Sequence, residues 1–404
     1  MAVATRTSLR DLLLAGKPVD LGTLRPVLER DFPELAALAH ASITAAAGLA
    51  RENALEHTQQ VLWQVQPRLH ELPPEEAQAL YLAALLHELS PAPAALARDV
   101  LFRLQLPGPL RDQVVYLVRT HKSPLTFGAR QAGTGHMLRL AWTLNTRILF
   151  LLAEAHAQAS RLPRTHRRWQ ALAAFRARCE ELDVFGREPP PLIAPARWHK
   201  LVPTDPRLQR RVAGELRFWR IMGALADRSQ AEAWLRAQAP VEPAGSLYLP
   251  VGVPGSGKST WIAENLPQAR LISMDEMRER LTGNRADQSR NPEVYRRCRS
   301  ELARALRAGE TVVWDAQNHT WSSRQGLLAL ARETHAYVVT VYFDIPLALA
   351  LQRNTGRQAV VPEAVIVRSY GDLHEPRPFE AEELWRVDAY GHTSRHVNDE
   401  TTGA

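Results

Sequence analysis

Residues 252–260 read Gly252-Val-Pro254-Gly255-Ser256-Gly257-Lys258-Ser259-Thr260. The glycines let backbone N–H groups point inward without a Cβ in the way, as a loop around phosphates requires. Lys258 can reach the β- and γ-phosphates of a nucleotide, and the Ser259 hydroxyl can hold Mg²⁺. Nucleotide contacts are therefore expected from Gly252, Pro254, Gly255, Ser256, Gly257, Lys258, Ser259 and Thr260. The chain has only four lysines, Lys17, Lys122, Lys200 and Lys258, so Lys258 does not come from a lysine-rich background.

Three later segments suit phosphoryl transfer. In Ser273-Met-Asp275-Glu-Met-Arg278, Asp275 can orient an acceptor hydroxyl and take its proton. Arg278, three residues on, can bind a phosphate of the acceptor. Asp315, at the end of Thr311-Val-Val-Trp-Asp315, suits a strand end that supports the metal and its waters. Arg353 and Arg357 are spaced i,i+4, so one helical face could present both to the transferring group.

These residues need a scaffold that gathers them at one edge. From 246 onward the pattern alternates, with strands expected at 247–251, 270–274, 311–315 and 337–343. Helices are expected near 258–265, 275–282, 292–308, 323–334, 347–356 and 362–373. That alternation implies a parallel sheet covered on both faces, with ligands at the C-terminal strand ends. Residues 1–160 read as helical, with periodic apolar stretches at 34–50, 54–69, 76–89, 110–120 and 136–157. Helical pattern returns at 161–186 and 207–238, around a proline-rich stretch at 188–206. The fold class expected is multidomain: an all-α domain at 1–160, a basic helical connector at 161–245, an α/β domain at 246–391 and a disordered tail at 392–404.

Residues 246–391 resemble the kinase module of the polynucleotide 5′-kinase family. The resemblance rests on GVPGSGKS at 252–259, Asp275-x-x-Arg278, VVWDAQN at 312–318 and RNTGRQAVVP at 353–362. It implies ATP and Mg²⁺ as cofactors and the 5′ ends of DNA or RNA as partners. Lys258, Asp275 and Arg353 take the catalytic roles, Arg278 holds the acceptor's phosphate, and Asp315 and Arg357 join the nucleotide site. Gln317 departs from the commoner Asp-Ala-Thr-Asn wording.

The helical part carries His57, the doublet His87-Glu88, and His121 in His121-Lys-Ser-Pro124. Their order resembles the HD-type metal phosphohydrolases. That resemblance implies a site for Mn, Fe, Zn, Ni or a similar metal at His57, His87, Glu88 and His121, and a 3′ or 2′,3′ phosphatase activity. Glu88 replaces the family's Asp. The family's late Asp is missing, with Asn145 or Glu154 as candidate substitutes. The alternative is a helical scaffold whose histidines are hydrogen-bonded core residues. An HD-like domain before such a kinase module resembles bifunctional bacterial end-healing enzymes.

Composition bounds these readings. The chain is 45% hydrophobic and 23% charged, as in soluble globular proteins. No apolar run approaches the ~18 residues of a membrane span, and Asp11 breaks the only leader-like stretch, so a cytoplasmic protein is expected. Cys179 and Cys298 lack metal spacing and read as free thiols. The net charge of +7 favours polyanionic partners. Residues 161–220 hold 14 Arg or Lys against 6 Asp or Glu, interleaved with Trp169, Trp198, Phe218 and Trp219. That mixture suits a nucleic-acid surface, or equally a solvated face above core aromatics. Two other functions stay open: a small-molecule P-loop kinase, and a non-catalytic nucleotide-gated binding protein.

Overall fold

The computed structural model describes residues 19–43, 52–128, 131–238, 241–243, 245–285, 287–357 and 360–397. The chain divides into two compact units, Met1–Pro190 and Pro191–Ala404.

The first unit is helical: α1 (Leu21–Asp31), α2 (Pro33–Ala36), α3 (Ala54–Val65), α4 (Pro74–Leu86), α5 (Pro93–Arg103), α6 (Gly108–Thr120), α7 (Thr134–Thr143), α8 (Thr146–Ala159) and α9 (Arg167–Glu181). A two-stranded antiparallel pair, β1 (Ser42–Ile43) and β2 (Glu52–Asn53), precedes α3. The Asn53 side chain caps α3 by accepting from the N–H groups of Leu55 and Glu56. Helix α4 is central. Ala79 to Leu86 are all buried, so it is apolar on every side and packs against α3, α6 and α8.

Two sequence expectations change here. The stretch 34–50 is not one helix: α2 ends at Ala36, a 3₁₀ turn follows, and Ser42–Ile43 pairs as a strand. Residues 44–50 lie outside the described residues. The stretch 136–157 breaks at Asn145, whose side chain caps α8 by accepting from the Arg147 and Ile148 N–H groups.

The second unit begins with α10 (Pro195–Leu201), α11 (Pro206–Ile221) and α12 (Arg228–Gln238). The sheet and its helices follow: β3 (Ser246–Val251), α13 (Lys258–Asn265), β4 (Arg270–Ser273), α14 (Met274–Thr282), α15 (Asn291–Arg307), β5 (Thr311–Asp315), α16 (Trp321–Glu333), β6 (Tyr337–Phe343), α17 (Leu347–Thr355), α18 (Glu363–Gly371), β7 (Glu383–Val387) and β8 (Thr393–Val397). The strand order is β4-β5-β3-β6-β7-β8. The first five run parallel, and β8 is antiparallel to β7. All seven residues of β6 are buried, which is why it reads as an apolar run broken only by Thr340 instead of alternating.

The segment expected as a connector, 161–245, is shared between the units. Helix α9 packs on α8 and on the 3₁₀ turn at Pro124–Thr126. Helix α11 belongs to the sheet unit. Its Arg211 is fully buried and donates to Glu215 at 2.8 Å and to the Gln238 and Val241 carbonyls at 3.0 and 2.6 Å. Phe218 is buried in the core beneath the sheet, while Trp169, Trp198 and Trp219 are partly buried against apolar clusters. These aromatics serve packing, and Arg211 and Arg217 are buried with them. The exposed Arg and Lys residues of 161–220 are instead Arg161, Arg164, Arg167, Arg176, Arg187, Lys200 and Arg207, spread along it. The tail also differs from expectation, since Thr393–Val397 forms a strand. Residues 398–404 lie outside the described residues.

A buried ion pair ties the second unit together. Arg324 is fully buried and donates to both oxygens of Glu380, at 2.6 and 2.8 Å. Its Nη1 also donates to the Asn318 and His374 carbonyls. Replacing Arg324 with Met leaves Glu380 buried without its partner. The expected cost is about 3–5 kcal/mol, read from denaturant midpoints. A loss under about 1 kcal/mol would show that the pair is not a structural tie.

Candidate functional site

Strand β3 lies between β5 and β6, so the loop after Val251 emerges at the middle of the sheet's C-terminal edge. Gly255 and Gly257 adopt left-handed backbone, φ +82° and +97°. A Cβ at Gly255 would also collide with the Ala350 carbonyl. Helix α13 starts at Lys258, which aims its N-terminal N–H groups at the loop. Lys258 Nζ donates to the Gly252 and Val253 carbonyls at 2.9 and 2.8 Å. Ser256 and Pro254 are buried within the loop, whereas Ser259 and Thr260 are exposed.

Neighbouring strand ends bring the other expected residues to this edge. Ser273 and Asp315 are partners in the β4–β5 register. Asp275 follows in the first turn of α14. Burial raises the Asp315 carboxyl above its ordinary range. Lys258 opposes that rise, Asp275 and Glu276 add to it, and Arg357 opposes it. These groups therefore share one field. Asn318, with φ +50°, sends its side-chain N–H to the Pro250 carbonyl at 2.9 Å, which pins the β5 loop to β3. Gln317 accepts from the Gly252 N–H through its carbonyl (3.3 Å) and from Ser369 Oγ through its side chain (3.1 Å). The residue that departs from the commoner wording thus links the phosphate loop to α18.

Arg278 donates to Asp275 at 2.6 Å, to Asn291 at 3.1 Å and to the Arg285 carbonyl at 2.9 Å. Its side chain is largely buried while that of Asp275 is 70% exposed. The aspartate is thus held from the protein side and open on the other. Arg353 lies near the loop, with Nη1 3.5 Å from the Ser256 carbonyl and Nη2 2.6 Å from the Ala389 carbonyl. Arg353 and Arg357 do not share a helical face, because α17 ends at Thr355 and Arg357 lies past its C-cap, Gly356. The side chain of Asn354 bridges this segment, donating to the Val361 carbonyl and accepting from the Val361 N–H.

The helical unit holds a second cluster. His57 comes from α3, His87 and His121 from the C-caps of α4 and α6, Glu88 from the residue after α4's cap, and His156 from α8. All five are buried. Ligand atoms of His57, His87, Glu88 and His156 lie within 4.8 Å of one another. His121 stands beside them, its Nε2 3.9 Å from Glu88 Oε1. His87 and His121 share one device: each Nδ1 is hydrogen-bonded to the carbonyl three residues upstream, at 2.8 and 2.7 Å. Those carbonyls can only accept, so Nδ1 carries the proton and Nε2 keeps its lone pair. Among the described residues, neither Nε2 has a hydrogen-bond partner. Four imidazoles around one carboxylate suit a transition metal better than Mg²⁺. The donor set therefore fits such an ion.

His156 is the member that the sequence reading misses. Asn145 is occupied as a cap, and Glu154 is not in the cluster. The available signal was a lone His in the apolar run Leu149–Ala159. Burial pushes the pKa values of His57, His87 and His156 down to about 4, so all three are neutral at about pH 7. Burial alone would raise Glu88, but the His156 hydrogen bond, then His87, Lys122 and His121, hold it well below the carboxylate range.

Residues 247–376 match the family model of the AAA domain. No curated protein matches the chain. The matched region is a P-loop nucleotide-binding domain within the second unit, with the helical unit outside it. Among the described residues, no helix is long and apolar enough to cross a membrane.

Burial depresses Lys258 to a pKa of about 8, with Asp315 opposing the shift and Arg357 adding to it. Below that pH the lysine is charged and can meet phosphate oxygens; above it the free protein has lost the proton. Affinity for MgATP should therefore fall as pH rises past about 8, by up to roughly tenfold per unit. Calorimetric titration from about pH 7 to about pH 9.5 checks this. The same slope in Lys258→Met would assign it to another group.

Proposed function

We propose, on the premise of a P-loop nucleotide-binding domain at 247–376, that this chain transfers the γ-phosphoryl group of ATP to the 5′-hydroxyl of a polynucleotide end. The observation that carries this reading is the Asp275–Arg278 pair beside Asp315 and the loop. An acceptor oxygen bonds to the γ-phosphorus as the β,γ-bridging bond breaks. Its proton passes to Asp275, and ADP departs. Arg278 occupies Asp275 Oδ1, which leaves Oδ2 of this largely exposed side chain for the hydroxyl. Lys258 and Arg353 stabilise charge on the transferring group, and the hydroxyl of exposed Ser259 would take Mg²⁺. The helical unit supplies the complementary step in this reading. It would hydrolyse a phosphoester at a 3′ or 2′,3′ end; His57, His87, Glu88 and His156 would hold a divalent metal, with His121 beside them. Such a metal supplies Lewis-acid activation of water.

The kinase test uses γ-labelled ATP with 5′-hydroxyl DNA and RNA oligonucleotides, and with nucleosides as competitors. Asp275→Asn should lower turnover by roughly 10²–10⁴-fold while keeping MgATP affinity. Lys258→Ala should lose both. Equal transfer to free nucleosides would make the protein a small-molecule kinase, and ATP binding without transfer would make it a binding protein.

For the helical unit, elemental analysis of the purified protein should find a transition metal. His156→Ala should reduce its content and abolish phosphate release from a 3′-phosphate end, with the kinase retained. Unchanged metal content in that variant would remove His156 from the site.

A further inference from the structure

Lys122 is the next residue after His121, and its position is specific. Its ammonium lies 3.1 Å from Glu88 Oε1 and 3.4 Å from Oε2. Oε1 is also the oxygen that faces the imidazoles, 3.2 Å from His156 Nε2, 3.8 Å from His87 Nε2 and 3.9 Å from His121 Nε2. Oε2 has the lysine as its hydrogen-bond partner. One carboxylate thus joins a buried nest of imidazoles to a cation. The lysine side chain is 58% exposed, whereas those of the cluster are at most 9% exposed. The ammonium therefore stands where the cluster meets solvent.

From this geometry we propose that Lys122 is the phosphate-binding residue of the helical unit's centre, and that the centre is selective for phosphomonoester dianions, which narrows the two ends above to the 3′-phosphate. The proposal rests on the metal-centre reading above. Imidazoles bind a metal in their neutral form. With a divalent ion on the cluster, Glu88 cancels one positive charge and Lys122 restores it. The site then presents two net positive charges, which a terminal phosphate dianion neutralises and a diester monoanion does not. An ammonium has three donors. The Glu88 carboxylate, 3.1 and 3.4 Å away through Oε1 and Oε2, takes at most two of them and leaves one or more for a phosphate oxygen. Lys122 is one of the chain's four lysines, in a protein whose remaining basic side chains are arginines. A compact ammonium on a flexible stem presents its donors as a point charge, which a planar guanidinium fork does not reproduce.

The test uses the full chain loaded with Co²⁺, whose visible absorption reports the coordination sphere, and inorganic phosphate as the probe. Wild-type protein should bind about one Co²⁺ per chain, and phosphate should perturb the spectrum. Lys122→Met should keep the metal and the resting spectrum, but bind phosphate roughly ten- to a hundredfold more weakly, the worth of one charge-assisted contact. Its KM for p-nitrophenyl phosphate should rise with that loss, while cleavage of bis-p-nitrophenyl phosphate changes little. Lys122→Arg should recover phosphate binding only in part. Phosphate affinity within about twofold of wild type in metal-loaded Lys122→Met overturns the lysine's role and leaves the metal centre standing. Loss of Co²⁺ from that variant makes the lysine structural and also overturns the proposal. Wild-type protein that holds no Co²⁺ overturns the metal centre and this proposal together.

Discussion

The nucleotide-binding half depends on where Asn318 is held. Its side chain grips the Pro250 carbonyl, two residues before the phosphate loop, and its own carbonyl accepts from buried Arg324. Arg324 in turn is fastened to Glu380 and the His374 carbonyl. One path of short contacts thus runs from the segment before β7, through the end of β5, to the root of the loop. A parallel sheet gives its loops no hairpin partners, so their positions must come from side chains. A fully buried, bidentate arginine supplies that rigidity, because breaking it would strand a carboxylate without water. The left-handed backbone at Asn318, tolerated better by Asn than by most residues, turns the chain so that both grips are made at once.

The helical half solves a related problem with fewer parts. A metal-type cluster needs imidazoles fixed in one tautomer. Here the ends of α4 and α6 provide it, since the last carbonyls of a helix lack intrahelical donors. His87 and His121, placed at those ends, satisfy one such carbonyl each and turn their other nitrogen inward. Backbone thus does what a second layer of carboxylates does in many metal sites.

Much of this was legible in the residues alone. The strands expected at 247–251, 311–315 and 337–343 fall within a residue of those observed, because short apolar runs bounded by turn signals have few other readings. Helix α13 was recognisable because its first residue belongs to the phosphate loop itself. What could not be read was tertiary in origin. Asn145 breaks a helical pattern that continues on both sides of it, and only its capping bonds reveal the break. The stretch with Arg211, Arg217 and Phe218 read equally as a nucleic-acid surface or as a solvated face above core aromatics; Phe218 is core, but the burial of the two arginines with it is invisible to composition. His156 lies 68 residues from the carboxylate it touches, so no spacing rule could join them. Strand β8 has four exposed residues of five and carries no apolar alternation to announce it.

That last strand bears on what counts as a self-sufficient piece of this chain. Trp261, in the first turn of the helix that follows the phosphate loop, donates its indole N–H to Thr393 at 3.2 Å. Arg353 donates to Ala389 in the turn before β8. On the other side, Gly214 of α11 approaches the Glu382 carboxylate so closely that any side chain would collide with it. A fragment trimmed to the family-matched 247–376 would discard β7, β8 and α11. It would bare the edge of β6 and cut the loop's helix from its anchor. The piece to work with is therefore bounded by packing and not by motif: the compact unit Pro191–Ala404, which keeps α11, β7 and β8 with the loop.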